Sequence, residues 1–306
     1  MIVVLTAPVY VTLAFVVSVL PCGRAAAQDM PLSDVLIEGQ GWKLVADGFK
    51  FTEGPAVDGR GNLYFTDVPH SKIHRLDAKT GDVTVVVDNS ERTNGLMFGP
   101  DGLLYGCRNG ASSIVAYNSG FRPKTVASDV RCNDLVVTRN GGVYFTDPTN
   151  QQVWFVDSQG KKRVVDKGIG RPNGIILWPD GGTLVVADTA GKHLWAFRVE
   201  DDGSLSHKQP YYTMRMLPEM IAAGRGGGAD GMTVESDGRR FVATHAGLQM
   251  GDTTGRVGGV ILKPQPRFLS NVVFGGPEFD TLYVTCSDKV YCRKTKARGL
   301  RTRGKP

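Results

Sequence analysis

The stretch that decides the fold is FTEGPAVDGRGNLYFTD, residues 51–67. The same plan recurs five times: RTNGLMFGPDGLLYGCR (92–108), RCNDLVVTRNGGVYFTD (131–147), RPNGIILWPDGGTLVVAD (171–188), GADGMTVESDGRRFVAT (228–244) and LSNVVFGGPEFDTLYVT (269–285). Each copy has a polar third residue, an apolar alternation, a glycine-containing turn and a closing apolar run. Alternation of period two around Asp-Gly and Asn-Gly turns predicts β-hairpins.

We call the polar third residue of each copy its anchor. The anchors are Glu53, Asn94, Asn133, Asn173, Asp230 and Asn271, at spacings of 41, 39, 40, 57 and 41 residues. A period of about 40–45 residues with three or four short strands is typical of a β-propeller blade. We therefore predict an all-β, six-bladed β-propeller over residues 41–292, because neither a β-sandwich nor two separate sheets explains six equal repeats.

The repeat leads to two further predictions. The long interval places an insertion of about 16 residues within 200–227. A strand within 41–50 is expected to complete the last blade and close the ring, and residues 28–40 lead into it.

Composition locates the charge of the chain. The net charge is +6, but the last fourteen residues, 293–306, carry seven Lys or Arg and no acid. Without them and residues 1–27, the body has 28 bases and 30 acids. We interpret 293–306 as a solvated basic tail, the alternative being a tail that binds an anionic surface or nucleic acid. We expect no nucleic-acid binding by the body.

Residues 1–27 are typical of a signal peptide. Residues 2–20 are almost wholly apolar, and Ala25–Ala27 have the small side chains of a cleavage site. We expect an exported protein, periplasmic or secreted, with no membrane span in the mature chain; an uncleaved anchor is the alternative. Its oligomeric state stays open.

Four cysteines follow the leader. An oxidising compartment permits disulfides without demanding them. Cys286 and Cys292 flank a short turn-like stretch and are candidates to pair, while a bond between Cys107 and Cys132 stays open. The spacings match no zinc signature.

The anchors predict a metal site. The first strand of each propeller blade lines the central channel, so six anchors converge at one mouth. Carboxylate and amide oxygens without His or Cys suit a hard divalent cation, Ca²⁺ first, with Mg²⁺, Mn²⁺ or Zn²⁺ as alternatives. The charges of Glu53 and Asp230 balance such an ion. The competing interpretation is that Asn and Asp merely start turns here, which explains one or two copies but not six.

The sequence resembles the senescence-marker-protein/gluconolactonase family of six-bladed propellers. The resemblance is carried by Glu53-Gly54-Pro55, Arg131-x-Asn133-Asp134, Arg171-Pro172-Asn173-Gly174, Ala229-Asp230-Gly231-Met232 and Ser270-Asn271-Val272-Val273-Phe274-Gly275-Gly276. It implies a lactonase whose metal ligands fall on Glu53, Asn173 and Asp230. Asn133 would bind the substrate, or the metal at longer range, and Arg131 would lie near the substrate. We assign the remaining anchors, Asn94 and Asn271, to the substrate as well.

The expected reaction is hydrolysis of a small sugar lactone, gluconolactone being the leading candidate. The ion polarises the carbonyl, and Asp230 is the catalytic base that activates water; activation of the water by the ion alone is a variant. Alternatives are a non-catalytic propeller that binds a protein or glycan, and a strictosidine-synthase-like or arylesterase-like enzyme. His245 is the histidine of interest, since it lies on the blade that carries Asp230.

Overall fold

The structure, a computed structural model that describes residues 31–301, consists of six four-stranded antiparallel sheets. Blade 1 has β2 (Thr52–Val57), β3 (Leu63–Asp67), β4 (Lys72–Leu76) and β5 (Val83–Val87), and blade 2 has β6 (Thr93–Phe98), β7 (Leu104–Arg108), β8 (Ser113–Tyr117) and β9 (Pro123–Ser128). Blade 3 has β10 (Leu135–Val137), β11 (Val143–Asp147), β12 (Gln152–Val156) and β13 (Lys162–Lys167), and blade 4 has β14 (Pro172–Leu177), β15 (Thr183–Asp188), β16 (His193–Val199) and β17 (Leu205–Thr213). Blade 5 has β18 (Met232–Val234), β19 (Arg240–Thr244), β20 (Gly247–Gly251) and β21 (Val257–Ile261). Blade 6 has β22 (Leu269–Gly275), β23 (Thr281–Cys286), β24 (Lys289–Lys294) and the early strand β1 (Lys43–Ala46).

The first strands of the blades form a closed ring. Each of β2, β6, β10, β14, β18 and β22 contacts the first strand of both neighbouring blades. The predicted six-bladed architecture is thereby confirmed. Strand β1 pairs antiparallel with β24, with Lys43 opposite Cys292, so the ring is closed by an N-terminal strand as expected.

The hydrophobic core lies between adjacent blades. Leu63 and Phe65 of blade 1 pack with Phe279 and Tyr283 of blade 6, for example, and six such clusters surround the axis. Because the two faces of each sheet pack against different neighbours, the strands of the blades are apolar on both sides.

Short turns reverse the chain within each blade. Asp58 shows how they are held, since its carboxylate accepts hydrogen bonds from the backbone N–H groups of Arg60 and Asn62, both at 2.9 Å. Gly61 has a φ of +85°, which favours glycine. Successive strands alternate in direction, so the anchors, the blade-to-blade linkers and the turns between second and third strands share one face. We call it the upper face.

The longest linker is the predicted insertion. It follows the nine-residue strand β17, contains α1 (Pro218–Ala222) and runs directly into Asp230. Two short 3₁₀ turns, Leu32–Asp34 and Asn109–Ala111, complete the secondary structure. Within residues 31–301, no helix has the length and apolar character needed to cross a membrane. The predicted leader, residues 1–27, lies outside the described residues.

Both ends of the propeller extend past the sequence-based bounds of 41 and 292. Leu36 and Thr295 form an isolated β-bridge, and the Thr295 hydroxyl donates to Asp280 O at 2.9 Å. Ala297 is buried, and Gly299 bridges to Glu235. The backbone of residues 293–301 is therefore packed against blades 5 and 6, while the basic side chains of Lys294, Lys296 and Arg298 stay exposed.

The structure decides between the two cysteine pairings that the sequence left open. Cys107 and Cys132 form a disulfide, whereas Cys286 and Cys292 are free. In the β23–β24 hairpin, Cys286 is opposite Lys289 and Cys292 is opposite Tyr283. Three residues of register separate the two thiols, which puts them on opposite faces of the sheet. The candidate bond between Cys286 and Cys292 therefore does not form, and of the two pairings left open by the sequence the structure has Cys107 with Cys132.

Candidate active site

The six anchors meet at the upper mouth of the channel. Glu53, Asn94, Asn173 and Asn271 lie within the first three residues of their strands, and Asn133 and Asp230 lie two residues before theirs. Four of the six are buried, with exposed fractions of 6% for Glu53, 5% for Asp230, 8% for Asn173 and 7% for Asn271. Asn94 and Asn133 are half-buried.

A glycine follows the anchor in four blades. Its lack of a side chain allows the first strands of neighbouring blades to lie close together at the channel mouth. A Cβ on Gly54 would lie 2.1 Å from Asn94 O, and one on Gly174 would lie 2.1 Å from Asp230 O. A Cβ on Gly231 would lie 1.8 Å from Asn271 Cγ. Any larger side chain at these positions would push neighbouring blades apart at the axis.

Hydrogen bonds fix the buried anchors. Glu53 Oε2 accepts from the Gly54 N–H at 3.1 Å and from the Asn271 amide at 3.5 Å. Asn173 Nδ2 donates to Thr189 Oγ1 at 3.2 Å. Because its nitrogen is occupied in this way, Asn173 has its amide oxygen available for a ligand.

Threonines at the ends of second strands hold the anchors of the next blade. Thr146 Oγ1 donates to Asn173 O at 2.7 Å, and Thr189 Oγ1 donates to Ala229 O at 2.7 Å, beside Asp230. Sequence reasoning missed these positioning contacts, although a threonine recurs near the end of several copies.

Asp134 is a third carboxylate that sequence reasoning left without a role. It occupies the position that holds glycine in four other copies, which was the available signal. Its Oδ1 accepts from the Leu135 N–H at 2.9 Å. Removal of its carboxyl from water raises the pKa of Asp134 to about 7. It lines a cavity of about 190 Å³ that continues down the channel between apolar side chains.

The three carboxyls disfavour one another's ionised forms. Burial raises the pKa of Glu53, and the charge of Asp134 adds to this rise. The pKa of Asp230 is raised well above its ordinary value by burial first, and then by the charges of Glu53 and Asp134; Arg171 partly opposes the rise. Without a cation, the site therefore holds protons that ordinary carboxyls would have released.

The donor set fits a hard divalent ion. No Lys or Arg forms an ion pair with Glu53, Asp134 or Asp230 in the part of the chain that the structure describes. The described residues also hold no cluster of three or more His, Cys, Asp or Glu side chains suited to a metal. The predicted set of Glu53, Asn173 and Asp230 contains only two such residues and draws its third oxygen from an amide, which Ca²⁺ accepts.

The remaining predicted residues lie around this centre. The backbone oxygens of Asn94 and Asn133 abut Gly54 and Gly95, so both anchors belong to the ring. Arg131 is exposed on the linker before blade 3, and within residues 31–301 no hydrogen bond or ion pair joins it to the anchors.

His245 stands at the upper face of blade 5, in the turn after β19. A Cβ on Gly228 would lie 2.2 Å from its ring, two residues from Asp230. Phe268 contacts the imidazole edge-on, with ring centroids 5.8 Å apart. Burial lowers the pKa of His245, and the charges of Lys263 and Arg225 lower it further, so the imidazole is neutral at pH 7.

Comparison with known proteins places the chain among lactonases and related propellers. The family described as SMP-30/Gluconolactonase/LRE-like region matches residues 51–288. A gluconolactonase of Zymomonas mobilis is 26% identical over 84% of this chain and 82% of its own. The pentonolactonase XacC of Haloferax volcanii is 26% identical over 79% of this chain and 84% of its own.

Solved structures share the fold. A gluconolactonase of Xanthomonas campestris superposes with a TM-score of 0.75 at 22% identity, covering 86% of this chain and 92% of that one. The calcium-binding protein regucalcin of Agrobacterium tumefaciens has a TM-score of 0.71 at 17% identity, covering 85% and 96%.

Proposed function

The chain belongs to the SMP-30/gluconolactonase/LRE-like family, and from this premise we propose that it is a lactonase that opens a sugar lactone with the help of a divalent cation. The family resemblance expected from the anchor motifs is thereby confirmed. Named relatives act on gluconolactone and pentonolactone, which supports a small sugar lactone as substrate.

The carrying observation is the pair of buried carboxyls, Glu53 and Asp230, whose ionisation is disfavoured by burial and by neighbouring carboxyls, and neither forms an ion pair with a Lys or Arg within residues 31–301. In this proposal, Glu53, Asn173 and Asp230 hold the ion, Ca²⁺ before Mg²⁺, Mn²⁺ or Zn²⁺. When bound, the ion polarises the lactone carbonyl and offsets the negative charge that develops on its oxygen.

Asp230 is the proposed catalytic base. It accepts a proton from water while the water oxygen bonds to the carbonyl carbon. The ring C–O bond then breaks, and the proton is returned to the ring oxygen, which becomes a hydroxyl of the open-chain acid. Because Asp230 also helps to hold the ion, which lowers its basicity, activation of the water by the ion alone is the variant of this mechanism.

The other anchors have proposed roles in binding. Asn94, Asn133 and Asn271 present amides to the hydroxyl groups of the sugar, and Arg131 reaches the substrate from the upper rim. Thr189 holds the Asn173 amide and so orients a ligand oxygen before substrate arrives.

The test is a panel of aldonolactones assayed after EDTA treatment and again after addition of each divalent ion. We expect little hydrolysis in EDTA and recovery with Ca²⁺. Asp230→Asn should lower kcat by at least about 100-fold, the usual scale for a lost general base. Glu38→Gln, an exposed and unpaired control, should change nothing. Metal-independent hydrolysis, or an active Asp230→Asn variant, contradicts the proposal.

The second candidate function is that of a non-catalytic propeller that binds a protein or glycan. It would not need two carboxyls kept from water at one channel mouth, and absence of hydrolysis across the whole panel would favour it.

We also propose that the protein is exported. The Cys107–Cys132 disulfide supports an oxidising compartment, in agreement with the predicted leader over residues 1–27. N-terminal sequencing of protein recovered from the periplasm or medium tests this, and a start near residue 28 is expected. Recovery of full-length protein from the cytoplasm contradicts it.

A further inference from the structure

An arginine stands two residues before the anchor in three successive blades. Arg92, Arg131 and Arg171 precede Asn94, Asn133 and Asn173 in this way, and all three arginines are exposed. They belong to the blade-to-blade linkers at the upper face, which lead into the ring of anchors. The charge of Arg171 reaches the channel, since it lowers the pKa of Asp230.

Two further cations complete the rim on blades 5 and 6. Arg225 lies on the long linker that leads into Asp230, and Lys263 lies on the linker between β21 and β22. Both act on the imidazole of His245 and lower its pKa in addition to burial. Because His245 packs over Gly228, both charges lie near the same mouth.

These five cations have no ion pair within residues 31–301. Several acids at the upper face instead form ion pairs with other basic residues. Asp88 pairs with Lys72 at 2.7 Å, Glu91 with Arg108 at 3.8 Å, and Asp288 with Arg267 at 3.4 Å. The Asp188 carboxylate accepts N–H groups of its own turn and of Arg171. Asp129 and Glu219 are the other exposed acids of these linkers, which also carry the exposed Arg215, so within residues 31–301 the cations without an ion pair outnumber the acids without one.

Resting on the proposed lactonase function, we infer that this cationic rim binds an anionic group on the substrate, remote from the lactone carbonyl. The carbonyl must reach Asp230 inside the channel, which leaves the far end of the sugar among Arg92, Arg131, Arg171, Arg225 and Lys263. Guanidinium groups bind carboxylate, phosphate or sulfonate oxygens with charge-assisted hydrogen bonds. A neutral sugar lactone would leave these charges unused.

The experiment compares glucono-1,5-lactone with 6-phosphoglucono-1,5-lactone and a glucarolactone on the metal-loaded full chain. We expect kcat/KM to be at least about tenfold higher for the anionic lactones, through a lower KM. The advantage should shrink as ionic strength rises, because salt screens exposed charges. The phosphate and carboxylate substrates together distinguish which anion the rim prefers.

Variants of the rim provide the decisive comparison. Arg171→Gln and Arg225→Gln should each lower the ratio of anionic to neutral kcat/KM by about tenfold, the scale of one charge-assisted hydrogen bond. Arg122→Gln is the matched control, since Arg122 is exposed and lies in the β8–β9 turn at the opposite face. It should not alter the ratio.

Binding of the reaction products gives a readout without turnover. Calorimetry should show tighter binding of 6-phosphogluconate than of gluconate, with the difference lost in Arg171→Gln. If the protein hydrolyses neutral lactones with no preference for anionic ones, the proposed role of the rim is wrong and the lactonase proposal is unaffected. Rim-dependent 6-phosphogluconate binding without hydrolysis of any lactone would support the rim and remove the lactonase proposal.

Discussion

Glu53→Gln removes one negative charge from the channel mouth while the side chain keeps its size. Burial, aided by the charge of Asp134, raises the pKa of Glu53 from 4.5 to about 8. Between pH 4.5 and about 8, the folded state keeps a proton on this carboxyl that the unfolded state has released. The free energy of unfolding is therefore highest below pH 4.5 and falls as pH rises towards 8. At pH 7 the free energy of unfolding is about 3 kcal/mol lower than at pH 4.5, because each pH unit in this range lowers it by about 1.4 kcal/mol.

The metal-free variant should therefore be more stable than wild type by about 3 kcal/mol at pH 7 and nearly equal to it at pH 4.5. Urea unfolding followed by tryptophan fluorescence in EDTA, repeated across this pH range, measures the difference. Repeating the series in Ca²⁺ should largely remove this difference. A ligand at 100 times its Kd stabilises wild type by about 2.7 kcal/mol, and the variant, which lacks a ligand, should gain little.

Glu38→Gln is the control, because Glu38 is exposed and should leave every curve unchanged. The reasoning is refuted by a Glu53→Gln protein no more stable than wild type in EDTA at pH 7. It is equally refuted if both proteins gain the same stability from Ca²⁺.

Three further experiments test the packing and electrostatics of the site and the disulfide. Gly231→Ala should displace Asn271, whose Cγ would lie 1.8 Å from the new methyl, and raise KM while costing about 1–3 kcal/mol in urea unfolding. Asp134→Asn removes a charge that raises the pKa of Asp230, so the acidic limb of the pH profile of kcat/KM should move to lower pH; an unmoved limb contradicts this. Replacing Cys107 and Cys132 by Ser opens a 25-residue loop and should lower stability by about 3 kcal/mol, whereas Cys292→Ser should not.

Several features of the fold followed from the repeat itself. Six copies at nearly equal spacing predicted the six blades, the insertion before Asp230 and the closing strand. Local pattern suffices here because each blade is a meander of neighbours in sequence, and its hairpins depend on period-two alternation and glycine turns. The packed course of 293–301 was not predictable in this way, since its basic composition is typical of solvated ends and its contacts are with distant blades.

The sequence by itself determined which chemical groups come to the channel mouth: two carboxylates and four amides at equivalent positions of a ring. Only the tertiary structure decided how they behave there. It brought Asp134 beside Glu53 and Asp230, joined Cys107 to Cys132 and left the five rim cations without an ion pair among residues 31–301. The pKa of a buried carboxyl depends on exclusion of water and on the distance to charges of other blades, and disulfides and ion pairs depend on such distances too. Neither quantity is encoded in the spacing of residues along one blade.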